Sequence, residues 1–267
     1  MWGKSKPKPE AAATELSPAA DEYKVQAEDT IFLILGQSGA GKSTFINHAI
    51  GEHVASVGEN LSSHTVHIRP YSMTLDSGRR IVLVDTPGFN DTYASDREIM
   101  QRIIDWLSTR CSPKMKFAGI IYLHEIIQTR TDPETNLMHP TKLSKPEAPK
   151  YVILVTVKWK EMKDPESVGK LRETQLKAQW KKMSDHGSQM SRFEDTTESA
   201  RAIIDMFQVD PIEVEEIQEE LRRILALLPP QAADRKDHGE GFISKLFGKL
   251  TNRRRRRLRT SKRSGTP

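Results

Sequence analysis

Residues 31–45 read IFLILGQSGAGKSTF: an apolar run closes on a glycine, four residues pass, and Gly41-Lys42-Ser43 opens a stretch whose pattern predicts a helix. GQSGAGKS has the spacing G-x-x-x-x-G-K-[ST], set between a buried strand and a helix N-terminus, where that spacing has physical meaning. The glycines let backbone N–H groups converge on phosphate oxygens with no Cβ in the way. The helix start adds the positive end of its dipole. The stretch therefore assigns Gly36, Gln37, Ser38, Gly39, Ala40, Gly41, Lys42, Ser43 and Thr44 to a phosphate-bearing ligand. Lys42 is expected at the β- and γ-phosphates and the Ser43 hydroxyl on Mg²⁺.

Three further apolar runs follow IFLIL: IVLVD (81–85), FAGIIYLHEI (117–126) and YVILVTV (151–157). Runs that stay apolar on successive residues suit strands buried on both faces of a parallel sheet. Amphipathic stretches at Ser43–Ile50, Ser95–Thr109, Pro165–Met183 and Thr197–Phe207 supply the helices. The alternation predicts an α/β fold, three layers deep, with a mostly parallel sheet. HTVHIRPYSM (64–73) and SGRRIVLVD (77–85) flank a turn at Asp76-Ser77-Gly78 and predict one antiparallel edge hairpin. Residues 129–149 hold four prolines, so either a short helix or a long surface loop is expected there.

DTPGF closes the strand IVLVD, forty-nine residues after the first glycine of the phosphate loop. A carboxylate at the end of a buried strand beside such a loop is placed to hold Mg²⁺, which assigns Asp85 together with Ser43 to the metal. Gly88 can bring a backbone N–H to the γ-phosphate, in a Pro-Gly turn able to move when that phosphate leaves.

Together these stretches resemble a G domain of the TRAFAC class of P-loop GTPases, with septins, AIG-type immunity-associated GTPases and fungal G-domain proteins as the nearest kin. The resemblance covers residues 30–208. It is carried by GQSGAGKSTFIN, VGENLSSHTVHI, VDTPGFNDTYASDREIMQRIIDWL, AGIIYLHEI, ILVTVKW and RFEDTTESARAII. It implies GTP or GDP with Mg²⁺ as ligands and a nucleotide switch that hydrolyses GTP slowly. Thr65 takes the place of the switch threonine that closes on Mg²⁺ and the γ-phosphate. Lys42, Thr65 and Gly88 are thereby the residues expected to act on the reacting phosphate. A scaffold that binds nucleotide with little hydrolysis, or one with relaxed GTP/ATP choice, remains the alternative.

Two departures motivate that alternative. Small GTPases commonly orient the attacking water with a glutamine just after DxxG; here that residue is Phe89. Classical G domains read guanine through [NT]-K-x-D, whose carboxylate accepts from the ring N1–H and the exocyclic amine. This chain has Thr156-Val157-Lys158-Trp159-Lys160-Glu161, with Lys160 where the carboxylate belongs. An ammonium accepts no hydrogen bond. Either Glu161 or Asp164 substitutes, or stacking by Trp159 and Lys158 carries base binding alongside Thr156, or selectivity is relaxed. Arg192-Phe193 are either a wall of the base pocket or an ordinary strand end, and Arg69 and Arg97 are weak candidates for a catalytic arginine.

Composition bounds the rest. Residues 235–267 carry 12 of the 41 basic residues and 2 of the 36 acidic ones, so the net charge of +5 resides in that tail. The expected organisation is a disordered leader (1–27), the G domain (28–210), an amphipathic helix (211–230) and a basic, largely disordered tail (231–267). In 211–228, Ile212, Ile217, Leu221, Ile224, Leu225 and Leu228 share one helical face, which either packs back on the domain or joins another subunit. GFISKLFGKL followed by TNRRRRRLRT is a short basic amphipathic segment plus a polybasic run. An anionic membrane surface, nuclear import or nucleic-acid contact, and a solvated tail without a partner are its open readings. Self-association through the nucleotide face is also open. Cys111 is the only cysteine, so no disulfide partner exists within the chain, and no apolar run approaches the ~20 residues of a membrane span. The expectation is an intracellular, cytoplasmic protein with a peripheral-membrane or nuclear fraction.

Overall fold

The computed structural model describes residues 25–55, 67–89, 91, 94–112, 114–128, 151–185, 187–208 and 210–226. Within them the chain runs β1 (Thr30–Gly36), α1 (Lys42–Ile50), β2 (Arg69–Thr74), β3 (Arg80–Asp85), α2 (Asp96–Arg110), β4 (Lys116–Glu125) and β5 (Val152–Val157). It continues through α3 (Lys170–Gln179), α4 (Lys181–Ser184), β6 (Gln189–Arg192), α5 (Thr197–Asp205), β7 (Ile212–Glu213) and α6 (Val214–Leu225). The strands order as β2-β3-β1-β4-β5-β6, every neighbouring pair parallel except β2 with β3. The four apolar runs become β1, β3, β4 and β5, and the edge hairpin turns at Leu75–Arg79 as its turn residues predict.

Side chains alternate across the strands, so each strand feeds two cores. On one face α1 and α5 cover Phe32, Ile34, Leu83, Ile121 and Val155. On the other, α2, α3, α4 and α6 cover Leu33, Val84, Ile120 and Leu154. The result is a three-layer α/β fold with helices on both sides of a mostly parallel sheet. Ser95 starts α2 with a capping box, its Oγ accepting from the Glu98 amide while Glu98 accepts from the Ser95 amide. Thr196 and Ser199 do the same for α5.

Two features differ from the expected elements. The amphipathic stretch 165–183 is not one helix: Asp164 caps a π-turn at Pro165–Gly169, α3 follows, and the chain bends at buried Trp180. Ile212 is not on the last helix but in β7, which adds a second antiparallel pairing, Lys116 with Glu213 and Phe117 with Ile212. That pairing is available because β5 joins β4 only from Ile120 onward. The helix that follows turns its apolar face to the body. Val214, Ile217 and Leu221 are buried, the Gln218 side-chain amide donates to the Leu107 carbonyl at 2.9 Å, and Arg97 donates to the Leu225 carbonyl at 2.8 Å.

No helix among the described residues is long and apolar enough to cross a membrane. Thr65, the proline-rich stretch 129–149, Leu228 and the basic tail lie outside the described residues.

Candidate functional site

All parallel strands deliver their carboxyl ends to one edge, and β1 is the strand at which the connections diverge, to β3 on one side and β4 on the other. Open α/β sheets bind ligands at such an edge. The phosphate loop leaves β1 there. Gly39 and Gly41 take left-handed backbone, φ 83° and 82°, which lets the loop curl and start α1 without a β-carbon clash. Gly41 is the N-cap and offers no side-chain acceptor, so no side chain caps the first amides of α1. Ala40 packs into the core and Thr44 is half-buried on the first turn.

Lys42 is 6% exposed and folds over its own loop, donating to the Gln37 carbonyl at 2.9 Å and the Gly36 carbonyl at 3.4 Å. Burial lowers its pKa from 10.5 to about 8, against the opposing charges of Asp85, Asp91 and Glu125. A buried ammonium with only carbonyl partners is a group awaiting an anion. Ser43 Oγ donates to Asp85 Oδ2 at 2.8 Å. The other carboxylate oxygen, Asp85 Oδ1, is buried with no hydrogen-bond partner. Burial raises the Asp85 pKa, opposed by Ser43, Lys42 and Arg69. A hydroxyl beside a carboxylate that keeps one orphaned buried oxygen is the donor set a hard divalent cation takes, so these residues fit Mg²⁺.

The DTPGF turn is drawn onto the loop. The Phe89 amide donates to the Gly36 carbonyl, and the Ser38 amide donates to the Phe89 carbonyl, both at 3.0 Å. Gly88 makes this approach possible: a β-carbon there would lie 2.4 Å from the Ser38 backbone nitrogen and α-carbon. The Phe89 ring, 2% exposed, belongs to the core. Phe89 therefore brings no polar side-chain atom to the turn, and its ring is taken up by the core. Thr86 anchors the turn from below, its hydroxyl donating to the Ile34 carbonyl at 2.7 Å.

The side expected to hold the base comprises the loops after β5 and β6. Thr156 is fully buried; its hydroxyl donates to the Ser191 carbonyl and accepts the Trp159 indole N–H at 3.0 Å. Trp159 is 9% exposed. Arg192 stacks on its ring at 4.0 Å, and a β-carbon on Gly169 would come within 3.0 Å of it. Glu173 holds Arg192 in place through a two-pronged ion pair, Nε at 2.9 Å and Nη2 at 2.5 Å. The Trp159 ring is thus packed against Arg192 and close to the Gly169 backbone. Phe193 is likewise core, edge-on to Phe45 at 5.2 Å. Lys158 is left-handed, φ 64°, and its ammonium lies 3.1 Å from Glu125 Oε1. Glu125 in turn lies 3.8 Å from where a Gly39 β-carbon would be, so it joins the base loop to the phosphate loop. The Gln128 amide adds a second tie, donating to Gln37 Oε1 at 2.6 Å.

Neither Glu125 nor Gln128 stood out in the sequence, although a lone carboxylate closing the FAGIIYLHE run was the available signal. Arg97 is engaged at the end of α6, while Arg69 sits opposite Asp85 in the hairpin. Among the described residues no group of histidine, cysteine and carboxylate side chains could hold a metal in the manner of zinc. Burial raises the Cys111 pKa to about 12, which makes it a quiet thiol.

Comparison with known proteins agrees with this geometry. Residues 31–158 match the family described as 50S ribosome-binding GTPase. The small ribosomal subunit biogenesis GTPase RsgA of Xylella fastidiosa (strain 9a5c) is 31% identical over 104 residues, 37% of this chain. The alignment spans only 30% of that relative's length. Toc33 from Arabidopsis thaliana, solved with Mg²⁺ and GMPPNP, superposes with a TM-score of 0.52 at 18% identity, over 70% of this chain and 88% of that one. A structure of the chloroplast translocon components atToc33 and psToc159 gives a TM-score of 0.50 at 17% identity, over 70% and 87%. These likenesses show the fold: the described body is a three-layer α/β P-loop G domain with a mostly parallel sheet.

Proposed function

We propose that this chain, whose body is a P-loop G domain, binds GTP with Mg²⁺ and hydrolyses it slowly, acting as a nucleotide switch. The observation that carries this reading is the pairing of Ser43 with Asp85, one carboxylate oxygen orphaned, directly beside buried Lys42. Lys42 and the amides at the start of α1 bind the phosphate oxygens. Ser43 and Asp85, with Thr65, hold the ion, which when bound neutralises charge on the β- and γ-phosphate oxygens. Gly88 offers its amide to the terminal phosphate. Hydrolysis is slow because Phe89, buried in the core, has neither the chemistry nor the position to orient water.

That same residue favours the second reading, a nucleotide-binding scaffold with little turnover. Equilibrium binding of Mg-GTP and Mg-ATP, followed by single-turnover phosphate release with and without Mg²⁺, decides between them. Tight GTP binding with Mg²⁺-dependent release supports the switch; tight binding without release leaves the scaffold; tighter ATP binding removes the GTP switch.

Kinship with septin- and AIG-type GTPases is part of the same proposal, resting on the sequence stretches outside the nucleotide motifs. So is self-association through the nucleotide face; in the chloroplast translocon components atToc33 and psToc159, dimerisation is important for GTPase activity. An intracellular, cytoplasmic setting is proposed with them. For the basic tail the proposed partner is an anionic membrane surface, because GFISKLFGKL puts its apolar residues on one stripe next to the arginine run.

A further inference from the structure

The sequence leaves the base without its reader, since Lys160 stands where a guanine-selecting carboxylate belongs. Lys160 is directed across the gap between the two base-side loops. Its ammonium lies 3.8 Å from Asp195 Oδ2 and donates to the Asp195 carbonyl at 3.4 Å. The lysine in the carboxylate's place therefore holds a carboxylate from the opposite loop.

Asp195 is also conformationally marked. It and Lys158 are the two non-glycine residues with left-handed backbone among the described residues, φ 52° and 64°. Such backbone costs about 1 kcal/mol, less for aspartate than for most residues, and tends to collect at ligand sites. Both residues leave the carboxyl ends of neighbouring parallel strands, β5 and β6, at the edge that carries the phosphate loop. The loop on either side of Asp195 is fixed. The Phe193 amide donates to the Thr156 carbonyl at 2.9 Å, the Glu194 amide donates to Ser199 Oγ at 3.2 Å, and Thr196 caps α5. The Asp195 side chain itself remains 27% exposed.

The competing carboxylates are poorly suited. Both oxygens of Asp164 accept from Ser167, one from its amide and one from its hydroxyl. Glu161 and Glu194 are exposed.

We propose that Asp195, positioned by Lys160 across the gap between the β5 and β6 loops, is the carboxylate that selects guanine. This inference rests on the nucleotide-binding reading above. Guanine presents two parallel donors, N1–H and the 2-amino group, which a carboxylate accepts together. Adenine presents an acceptor at N1 and nothing at C2, so it leaves the carboxylate facing a lone pair. Xanthine keeps N1–H but carries a carbonyl at C2, and a carboxamide satisfies both.

The test uses the full chain and measures dissociation constants for Mg-GTP, Mg-ITP, Mg-XTP and Mg-ATP. Wild-type protein should bind ITP, which lacks the 2-amino group, about 10-fold more weakly than GTP. Asp195→Asn should lose about 30-fold in GTP affinity and prefer XTP. Lys160→Ala should weaken GTP by about 3- to 10-fold without a turn toward XTP, as befits a positioning residue. Equal wild-type affinity for GTP and ITP overturns the inference without any variant having to fold. An unchanged GTP-to-XTP preference in Asp195→Asn overturns it as well. A wild-type protein that binds ATP as tightly as GTP overturns the inference itself, whereas one that binds no GTP removes the underlying nucleotide reading instead.

Discussion

At the residue scale, the phosphate site stores its cost in Lys42. Its pKa is about 8 in the folded protein and 10.5 as the ordinary value, with burial the dominant cause. Below pH 8 both states are protonated and the folded state carries the full penalty of the buried charge. Between pH 8 and 10.5 the unfolded chain keeps a proton that the folded chain has released, so ligand-free stability rises with pH across that window. The span corresponds to about 3 kcal/mol. Urea denaturation of wild type and Lys42→Met, each at pH 7.5 and 10.5, isolates this one group. The stability difference between the two proteins should shrink or invert by about 2–3 kcal/mol at the higher pH; a constant difference would place the lysine in water. Lys42→Met should also be the more stable protein at neutral pH while losing nucleotide, the usual trade of stability against function.

At the scale of elements, α6 is part of the core. Ile217 is fully buried against the face shared with α2. Ile217→Ala should cost about 2–4 kcal/mol, read as a lower denaturant midpoint with unchanged slope. A loss under about 0.5 kcal/mol would mean that α6 is only loosely attached. The elements also show what was legible beforehand. The strands and the glycine loop between β1 and α1 were readable because their signals are local: apolar runs of fixed length, and a loop shaped by glycines that are neighbours in sequence. Ser43 and Asp85 lie 42 residues apart, yet each belongs to a motif that states its partner. The surroundings of Trp159 were not legible, because only tertiary packing brings Gly169 and Arg192 to its ring. Asp195 and Glu125 went unnoticed for the same reason: their roles depend on which strand ends the topology makes adjacent. β7 was invisible because two residues carry no periodicity.

At the scale of the whole molecule, a ligand that binds only the folded state stabilises all of it. Mg-GTP at a hundredfold excess over its dissociation constant adds about 2.7 kcal/mol. For a body of this size that raises the melting temperature by about 5–10 °C. Differential scanning fluorimetry should show the shift with Mg-GTP, a smaller one with GTP and EDTA, and none with Mg-ATP. An equal shift with all three would sink the assignment of the metal site and of base selection together.

Ribosomes deliver this domain N-terminus first. The loops at the carboxyl ends of the parallel strands are all synthesised by Thr197, when α5 begins. Lys116 and Phe117 of β4 pair with β1 on one edge, but their other edge must wait for Ile212 and Glu213, and the strip along α2 must wait for Ile217 and Leu221. A nascent chain halted in that interval holds its ligand-binding edge complete at one end of the sheet and an unclosed notch, flanked by bare hydrophobic surface, at the other. The last fifteen described residues thus act as a seam, and a truncated or slowly finished chain is exposed to wrong partners at that seam even while its ligand loops are whole.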